Sequence, residues 1–171
     1  MIPFLFSALF LAGVQTQAAT LEDGLRETVH TLSVQIQDGR VTGSAGHARA
    51  QKWITEKMQS LGLEVQVQPV PEWHGMGAPL GFNILGFYHR ELTAKGCILL
   101  GAHYDGLMAP AADDNASGIA VLLELARKVV SLQRVKKCVI FAAWDLEEGT
   151  LKNKGCILLG AHYDGLMAPA A

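Results

Sequence analysis

The fold is decided by three stretches of the chain: CILLGA at residues 97–102, IAVLLELARKVV at residues 119–130 and CVIFAA at residues 138–143. The two outer stretches are continuously apolar, as expected of strands that are covered on both faces of a parallel sheet. The middle stretch has the length and apolar content of a crossover helix. Strand, helix and strand at this spacing form a βαβ unit. This predicts an α/β fold with a partial doubly wound, mixed but mainly parallel sheet flanked by helices.

Segments upstream of this unit predict two helices and two further strands. Residues 20–37 have helical apolar spacing, and Ser44 is placed to cap a second helix for which Gly62 is the stop signal. Residues 63–68 alternate apolar and polar side chains, which is typical of an edge or antiparallel strand with one wet face. Residues 82–88 return to strand composition after a loop rich in Pro and Gly.

The first 19 residues resemble a secretory signal peptide. An apolar run over residues 2–14 is followed by small and polar residues that end at Ala19, and the run is shorter than the roughly 20 residues that span a bilayer. A secreted or lumenal protein without a membrane anchor after cleavage is therefore expected. The net charge of −2, with acidic and basic residues interspersed, excludes the electrostatic footprint of a nucleic-acid-binding protein. The sequence does not give the oligomeric state.

The last 18 residues are a second copy of an internal segment. Residues 154–171 repeat residues 95–112 without a change, whereas repeats of a solenoid diverge and cover the whole chain. We interpret residues 20–153 as one domain and residues 154–171 as a duplicate of an internal segment. A second copy of one buried strand is expected to have no reserved position in the sheet.

Three cysteines are too few for a disulfide framework. Cys97, Cys138 and Cys156 each lie in an apolar run, so packing in the core is one interpretation. A bridge between Cys97 and Cys138 is the other, since an oxidising compartment permits it.

Polar residues with metal-binding chemistry follow the predicted strands. His103 ends the first apolar run, and Asp105 stands where a carboxylate could hold one ring nitrogen of His103 while the other binds zinc. Asp113 and Asp114 are adjacent just before the crossover helix, and two neighbouring carboxylates repel each other unless a cation compensates them. Capping of the helix by Asp114 or Asn115 is the alternative.

A second acidic pair, Glu147 and Glu148, follows the second apolar run. Two such residues can divide the work, one binding metal while its neighbour takes a proton from water. A solvated helix start rich in glutamate is the alternative for this pair alone. All of these residues belong to the carboxyl edge of the predicted sheet, where open α/β sheets bind ligands.

Taken together, the motifs resemble those of the M28 family of co-catalytic zinc exopeptidases, whose secreted members are mostly aminopeptidases. His-x-Asp, Asp-Asp-Asn-x-Ser-Gly and Glu-Glu occur in this order between residues 103 and 148. The resemblance extends upstream through the strand segment 83–86 to the turn at residues 42–46.

The resemblance implies a zinc-dependent exopeptidase fold with two Zn²⁺ ions per complete site and a peptide as substrate. It assigns His103 to one zinc, Asp113 to both and Glu148 to the other. It makes Glu147 the general base and Asp105 the residue that orients His103. The implied reaction is hydrolysis of amino-terminal residues from peptides.

The family pattern also supplies a further carboxylate and a late histidine, which the sequence after Glu148 does not show. His162 and Asp164 in the duplicate have suitable side chains but no family counterpart, and Asp114 falls outside the direct ligands. We therefore expect that this chain is a truncated family member with little peptidase activity. A non-catalytic isoform or misassembled fragment is one alternative. A glutaminyl cyclase, carboxypeptidase or dipeptidase of the same family is another.

Overall fold

The computed structural model of the chain describes residues 20–36, 39–70, 81–106 and 110–146, and the backbone of residues 157–160. The α-helices in this part of the chain are α1 (Leu21–His30), α2 (Ala45–Ser60) and α3 (Ser117–Leu132). The strands are β1 (Glu64–Val70), β2 (Gly81–Tyr88), β3 (Cys97–His103), β4 (Cys138–Trp144) and β5 (Ile157–Gly160). Short helical turns occupy Thr31–Gln35 and Arg90–Lys95, and an irregular turn occupies Ala112–Ala116.

Helix α1 begins at a capping box and runs into a wider turn. The Thr20 side chain accepts a hydrogen bond from the Asp23 amide, and the Asp23 carboxylate accepts one from the Thr20 amide, at 3.1 and 3.0 Å. Two otherwise unsatisfied donors at the helix start are paired in this way. The predicted helix over residues 20–37 is confirmed in its position, but Thr31–Gln35 forms a π-helical turn rather than a continuation of α1.

Both ends of α2 are set by the residues that the sequence indicated. Ser44 Oγ accepts a hydrogen bond from the His47 amide at 3.1 Å. At the other end Gly62 has a φ of +84°, and the Leu63 amide donates to the Met58 carbonyl at 3.2 Å. This is a Schellman ending, which needs the left-handed backbone that glycine adopts without steric cost.

The sheet has the strand order β1-β2-β4-β3-β5. Strands β3 and β4 are parallel and pair from Cys97 opposite Cys138 to His103 opposite Trp144, which confirms the βαβ unit because α3 connects them. Strand β2 is antiparallel to both β1 and β4, so the sheet is mixed. The residues that follow β3 and those that follow β4 therefore leave the sheet at the same edge.

Side chains of β4 fill the core on both faces of the sheet. Val139 and Phe141 belong to the buried cluster into which α2 and α3 pack, whereas Ile140 and Ala142 belong to a second cluster on the opposite face. Every residue of β4 is buried. The continuous apolar run thus reflects burial on two faces, as predicted.

Strand β5 comes from the duplicated segment and lies beside β3. It is parallel to β3, and each of its residues lies opposite the residue that it duplicates, from Ile98 opposite Ile157 to Gly101 opposite Gly160. The expectation that the copy has no reserved position in the sheet is therefore wrong. The physical reason is that, among the described strands, no other pairs with this edge of β3, and a strand with the same apolar pattern can pair with it.

Cys97 and Cys138 form a disulfide bond, which decides between the two interpretations of these cysteines. They are the first residues of β3 and β4 and lie opposite each other, with their Cα atoms 4.6 Å apart. The bridge therefore ties the two central strands at the end of the sheet remote from His103.

The segment assigned to a signal peptide, residues 1–19, lies outside the described residues. Among the helices that the structure describes, none combines the length and the apolar composition needed to cross a bilayer.

Candidate metal centre

His103 lies between two carboxylates at the end of β3. Its side chain is 3% exposed, its Nδ1 lies 3.3 Å from Asp105 Oδ1, and its Nε2 lies 3.3 Å from Asp114 Oδ1. Asp105 follows β3, whereas Asp114 belongs to the turn before α3. Two loops that are separate in sequence thus meet at one buried imidazole ring.

The separation between His103 Nε2 and Asp114 Oδ1 suits two ligands of one metal ion. Zinc binds nitrogen and oxygen at about 2.0–2.1 Å in tetrahedral geometry, which separates neighbouring ligand atoms by about 3.3 Å. The 3.3 Å between Nε2 and Oδ1 matches this spacing and exceeds the usual length of a hydrogen bond. Asp105 lies against the other ring nitrogen, where a carboxylate fixes the orientation of a metal-binding imidazole. The donors and their spacing therefore fit a zinc ion.

The two adjacent carboxylates of the turn have different surroundings. Asp114 has a side-chain exposure of 30% and faces His103, whereas Asp113 is exposed. The backbone of Asp114 and Asn115 is non-helical, so the turn does not continue α3. The structure thus brings Asp114 against His103, and the metal-binding role of Asp113 stays a prediction.

The residue that caps α3 is Asn115. Asn115 Oδ1 accepts a hydrogen bond from the Gly118 amide at 2.9 Å, and the side chain is buried. Because Asn115 performs the capping, the Asp114 carboxylate is not needed for it.

Asp145 organises the end of β4 immediately before the predicted acidic pair. The carboxylate is fully buried and accepts hydrogen bonds from Thr42 Oγ1 and the Phe82 amide, each at 2.7 Å. His47 Nε2 lies 2.8 Å from Asp145 Oδ2, and the Tyr104 hydroxyl donates to the same oxygen at 3.2 Å. Burial favours a higher pKa for Asp145, but the hydrogen bonds from His47, Thr42 and Phe82 outweigh burial and hold this pKa below its usual value. Asp145 is therefore a buried anion.

Tyr104 joins this network to His103, which it follows in sequence. Its ring stacks on that of His47 with centroids 5.0 Å apart, and its hydroxyl also lies 2.9 Å from the Phe82 carbonyl oxygen. Burial, together with the charge of Asp145, raises the pKa of Tyr104, so the hydroxyl remains a donor. The ends of β3 and β4 are consequently fixed relative to each other.

Glu147, Glu148, His162 and Asp164 lie outside the described residues. Within the residues that are described, no group of three or more His, Cys, Asp or Glu side chains is arranged to hold a metal ion. His103 and Asp114 are the pair that the structure brings together, with Asp105 behind the ring.

Sequence reasoning missed two residues that build this region. Asp145 is a single carboxylate after β4 and Arg40 a single cation before α2, and neither belongs to a motif that indicated the site. Arg40 is fully buried and donates to the carbonyl oxygens of Tyr104 and Asp114 at 2.7 and 3.1 Å. A lone charged residue in a polar break carries no signal of burial, because its acceptors are main-chain atoms distant in sequence.

Comparisons with known proteins agree with a zinc enzyme of this fold. Residues 83–170 match the description of peptidase family M28. A protein of Pyrenophora tritici-repentis, named a probable zinc metalloprotease, is 31% identical over 141 residues, which are 71% of this chain and 31% of that protein.

Two solved structures share the fold. A glutaminyl cyclase of Porphyromonas gingivalis is 28% identical with a TM-score of 0.64, and the match covers 80% of this chain and 50% of that one. A leucine aminopeptidase precursor from Bacteroides thetaiotaomicron is 23% identical with a TM-score of 0.63, covering 78% and 49%. The match spans about a third of the fungal relative and about half of each solved structure.

Proposed function

Since this chain belongs to peptidase family M28, we propose that it carries part of a two-zinc site that hydrolyses amino-terminal residues from peptides. The observation that carries the proposal is the 3.3 Å separation of His103 Nε2 and Asp114 Oδ1, which suits two ligands of one zinc ion. The relatives named as a zinc metalloprotease and a leucine aminopeptidase support the class of reaction.

The residues of the site have distinct proposed roles. His103 and Asp114 hold one zinc ion, and Asp105 holds the His103 ring in the tautomer that leaves Nε2 for the metal. By family resemblance Glu148 holds the second ion. Bound zinc would supply a Lewis acid that polarises the scissile carbonyl group. Glu147 would take a proton from the attacking water and return it to the leaving amine.

The assignment of Asp114 differs from the expectation that Asp113 is shared by both ions. Exposure of Asp113 and proximity of Asp114 to His103 favour Asp114 as the ligand. We retain two zinc ions per complete site and a secreted or lumenal location, from the leader-like residues 1–19, as parts of the proposal.

Zinc retention by three variants tests the assignment. We expect His103→Ala and Asp114→Asn to weaken zinc binding at least about 10-fold, because each removes a direct donor. Asp113→Asn is the matched control, since it makes the same chemical change one residue away, and should retain zinc as the wild-type chain does. Bound zinc is measured by mass spectrometry after competition with a chelator. Equal retention by Asp114→Asn and the wild-type chain would contradict the assignment.

Glutaminyl cyclase activity is the second candidate, favoured by the match to the Porphyromonas gingivalis structure. The two reactions differ in product, because an aminopeptidase releases a free amine from an aminoacyl arylamide whereas a cyclase closes an amino-terminal glutamine and releases ammonia. Assays of both products with the zinc-loaded protein, with Glu147→Gln as the inactive control, distinguish the two.

A further inference from the structure

Arg40 is a fully buried arginine whose donors all reach main-chain carbonyl oxygens. Its Nε donates to Tyr104 at 2.7 Å and its Nη1 to Leu32 at 2.9 Å. Its Nη2 donates to Ala111 at 2.8 Å and to Asp114 at 3.1 Å. A buried cation is costly unless its donors are satisfied, so this set of acceptors is what stabilises Arg40 in place.

Apart from Leu32, which belongs to the turn after α1, these acceptors belong to the two loops that meet at the candidate metal centre. Tyr104 directly follows His103, whereas Ala111 and Asp114 belong to the segment before α3. The main chain adds a further link, since the Gly106 amide donates to the Arg40 carbonyl oxygen at 3.2 Å. One side chain therefore fixes the distance between the loop that presents His103 and the turn that presents Asp114.

The positive charge of Arg40 also acts on the carboxylates of the candidate metal centre. Burial holds the pKa of Arg40 below its usual value, and the carboxylates of Asp105 and Asp114 oppose this shift and favour the charged form. The guanidinium donates to carbonyl oxygens, and the Asp105 and Asp114 carboxylates lie against the two nitrogens of His103 instead. Arg40 thus compensates their negative charge without occupying the oxygens that face the imidazole.

We propose that Arg40 is a positioning residue for the metal centre, which holds His103 and Asp114 at the spacing of two ligands of one ion. The inference rests on the proposed zinc function and goes beyond it, because Arg40 itself binds no metal. Arginine is required because its planar fork directs several donors at fixed angles, whereas a lysine ammonium is a single point charge.

Binding of Co²⁺ tests the proposal, because its visible absorption reports the coordination geometry as well as the affinity. We expect Arg40→Lys to weaken Co²⁺ binding at least about 10-fold and to alter the spectrum, as changes behind metal ligands do. The matched control is Arg26→Lys, which makes the same change at an exposed arginine of α1 paired with Glu22. It should bind Co²⁺ with wild-type affinity and spectrum.

Gly106→Ala is a second variant that keeps the charge of Arg40. A Cβ atom at Gly106 would lie 3.0 Å from the Asp114 carbonyl oxygen and 3.3 Å from Arg40 Nη2. The substitution therefore pushes the loop after β3 away from the turn that presents Asp114. It should also weaken Co²⁺ binding, and it decides the question if Arg40→Lys does not fold. Wild-type affinity and spectrum in the folded variants overturn the proposal, even where their thermal stability is reduced.

Hydrogen exchange of the metal-free protein separates this inference from the proposed function. We expect Arg40→Lys to raise amide exchange in residues 103–106 and 111–116 together, by roughly tenfold or more, while β1 and β2 are unchanged. A wild-type chain that binds no Co²⁺ would contradict the zinc function. In that case the hydrogen-exchange result alone tests whether Arg40 positions the two loops. Unchanged exchange in the two segments, or an equal rise throughout the chain, overturns it.

Discussion

Asp145 has no charged partner in the sequence around it, yet it is the anion on which the end of β4 is built. Its oxygens are held by Thr42 from the turn before α2, by the Phe82 amide from β2 and by Tyr104 after β3. His47 of α2 lies 2.8 Å away. A single carboxylate therefore joins three strands and one helix behind the site.

Replacement of Asp145 by Asn should be strongly destabilising. The amide group cannot accept every hydrogen bond that the carboxylate accepts, and it leaves His47 without its anion, so we expect a loss of about 3 kcal/mol in the free energy of unfolding. Urea denaturation measures this loss. The matched control is Glu22→Gln in the exposed pair with Arg26, for which we expect at most about 0.5 kcal/mol. Equal effects of the two substitutions would argue against a structural role for Asp145.

The same substitution should change the acid limb of the stability profile. A folded pKa below the usual value of 3.8 means that Asp145 contributes stability above that pH. This contribution is lost as the pH falls through the folded pKa. The Asp145→Asn variant lacks the contribution at all pH values, so its stability should fall less steeply in this acid range.

At the site, the sequence placed His103 and Asp105 correctly at the end of a strand, because the apolar run shows where the strand stops. The family resemblance assigned the metal to Asp113 rather than to Asp114, whereas the structure brings Asp114 against His103. Adjacent residues in an irregular turn point in directions that the backbone sets, and the sequence does not show these directions. The capping of α3 by Asn115 and the acceptors of Arg40 determine that direction. The Asn115 cap and the Arg40 hydrogen bonds depend on three-dimensional contacts that a local sequence pattern does not indicate.

At the scale of elements, the local signals were strong and the boundaries were accurate to within a few residues. Ser44 and Gly62 mark the ends of α2 because each satisfies backbone groups that a helix leaves open. Strand β1 alternates because it lies at the edge of the sheet, and β4 does not because both of its faces are buried. The position of β5 was missed, since pairing between distant strands is a property of the sheet.

Removal of the cap of α2 should have a moderate effect. Ser44→Ala leaves the His47 amide without its acceptor, so we expect a loss of about 1 kcal/mol in stability. Ser131→Ala is the control, because that hydroxyl is exposed near the end of α3 and donates to the Lys128 carbonyl. Thermal or urea unfolding of the two variants measures the difference. A larger loss in Ser131→Ala would contradict the capping role of Ser44.

At the scale of the whole molecule, the last strand beside β3 among the described residues is a copy of β3. The pairing covers the edge of β3 from Ile98 to Gly101. An uncovered, apolar strand edge is a template for pairing between molecules. The duplicated segment therefore covers this part of the β3 edge.

Deletion of residues 154–171 should expose that edge and promote association. We expect the shortened chain to elute as larger species in size-exclusion chromatography as its concentration rises, whereas the 171-residue chain changes less. A matched control replaces Leu158 with Lys, which keeps the chain length but introduces a charge that disfavours the pairing of β5 with β3. A shortened chain whose elution does not depend on concentration would show that β5 is dispensable as an edge cover.

The duplication also reaches the cysteines, because Cys156 stands in the copy where Cys97 stands in the original. During oxidation, Cys138 can therefore pair with either of two cysteines, Cys97 or Cys156, which lie in identical local sequences. The observed bridge to Cys97 spans 41 residues, whereas Cys156 is much nearer along the chain. Short loops close more readily, so random encounter favours the wrong thiol. We therefore expect that the Cys97–Cys138 bond is reached by thiol–disulfide exchange after a first, incorrect oxidation, because the folded sheet places these two cysteines opposite each other.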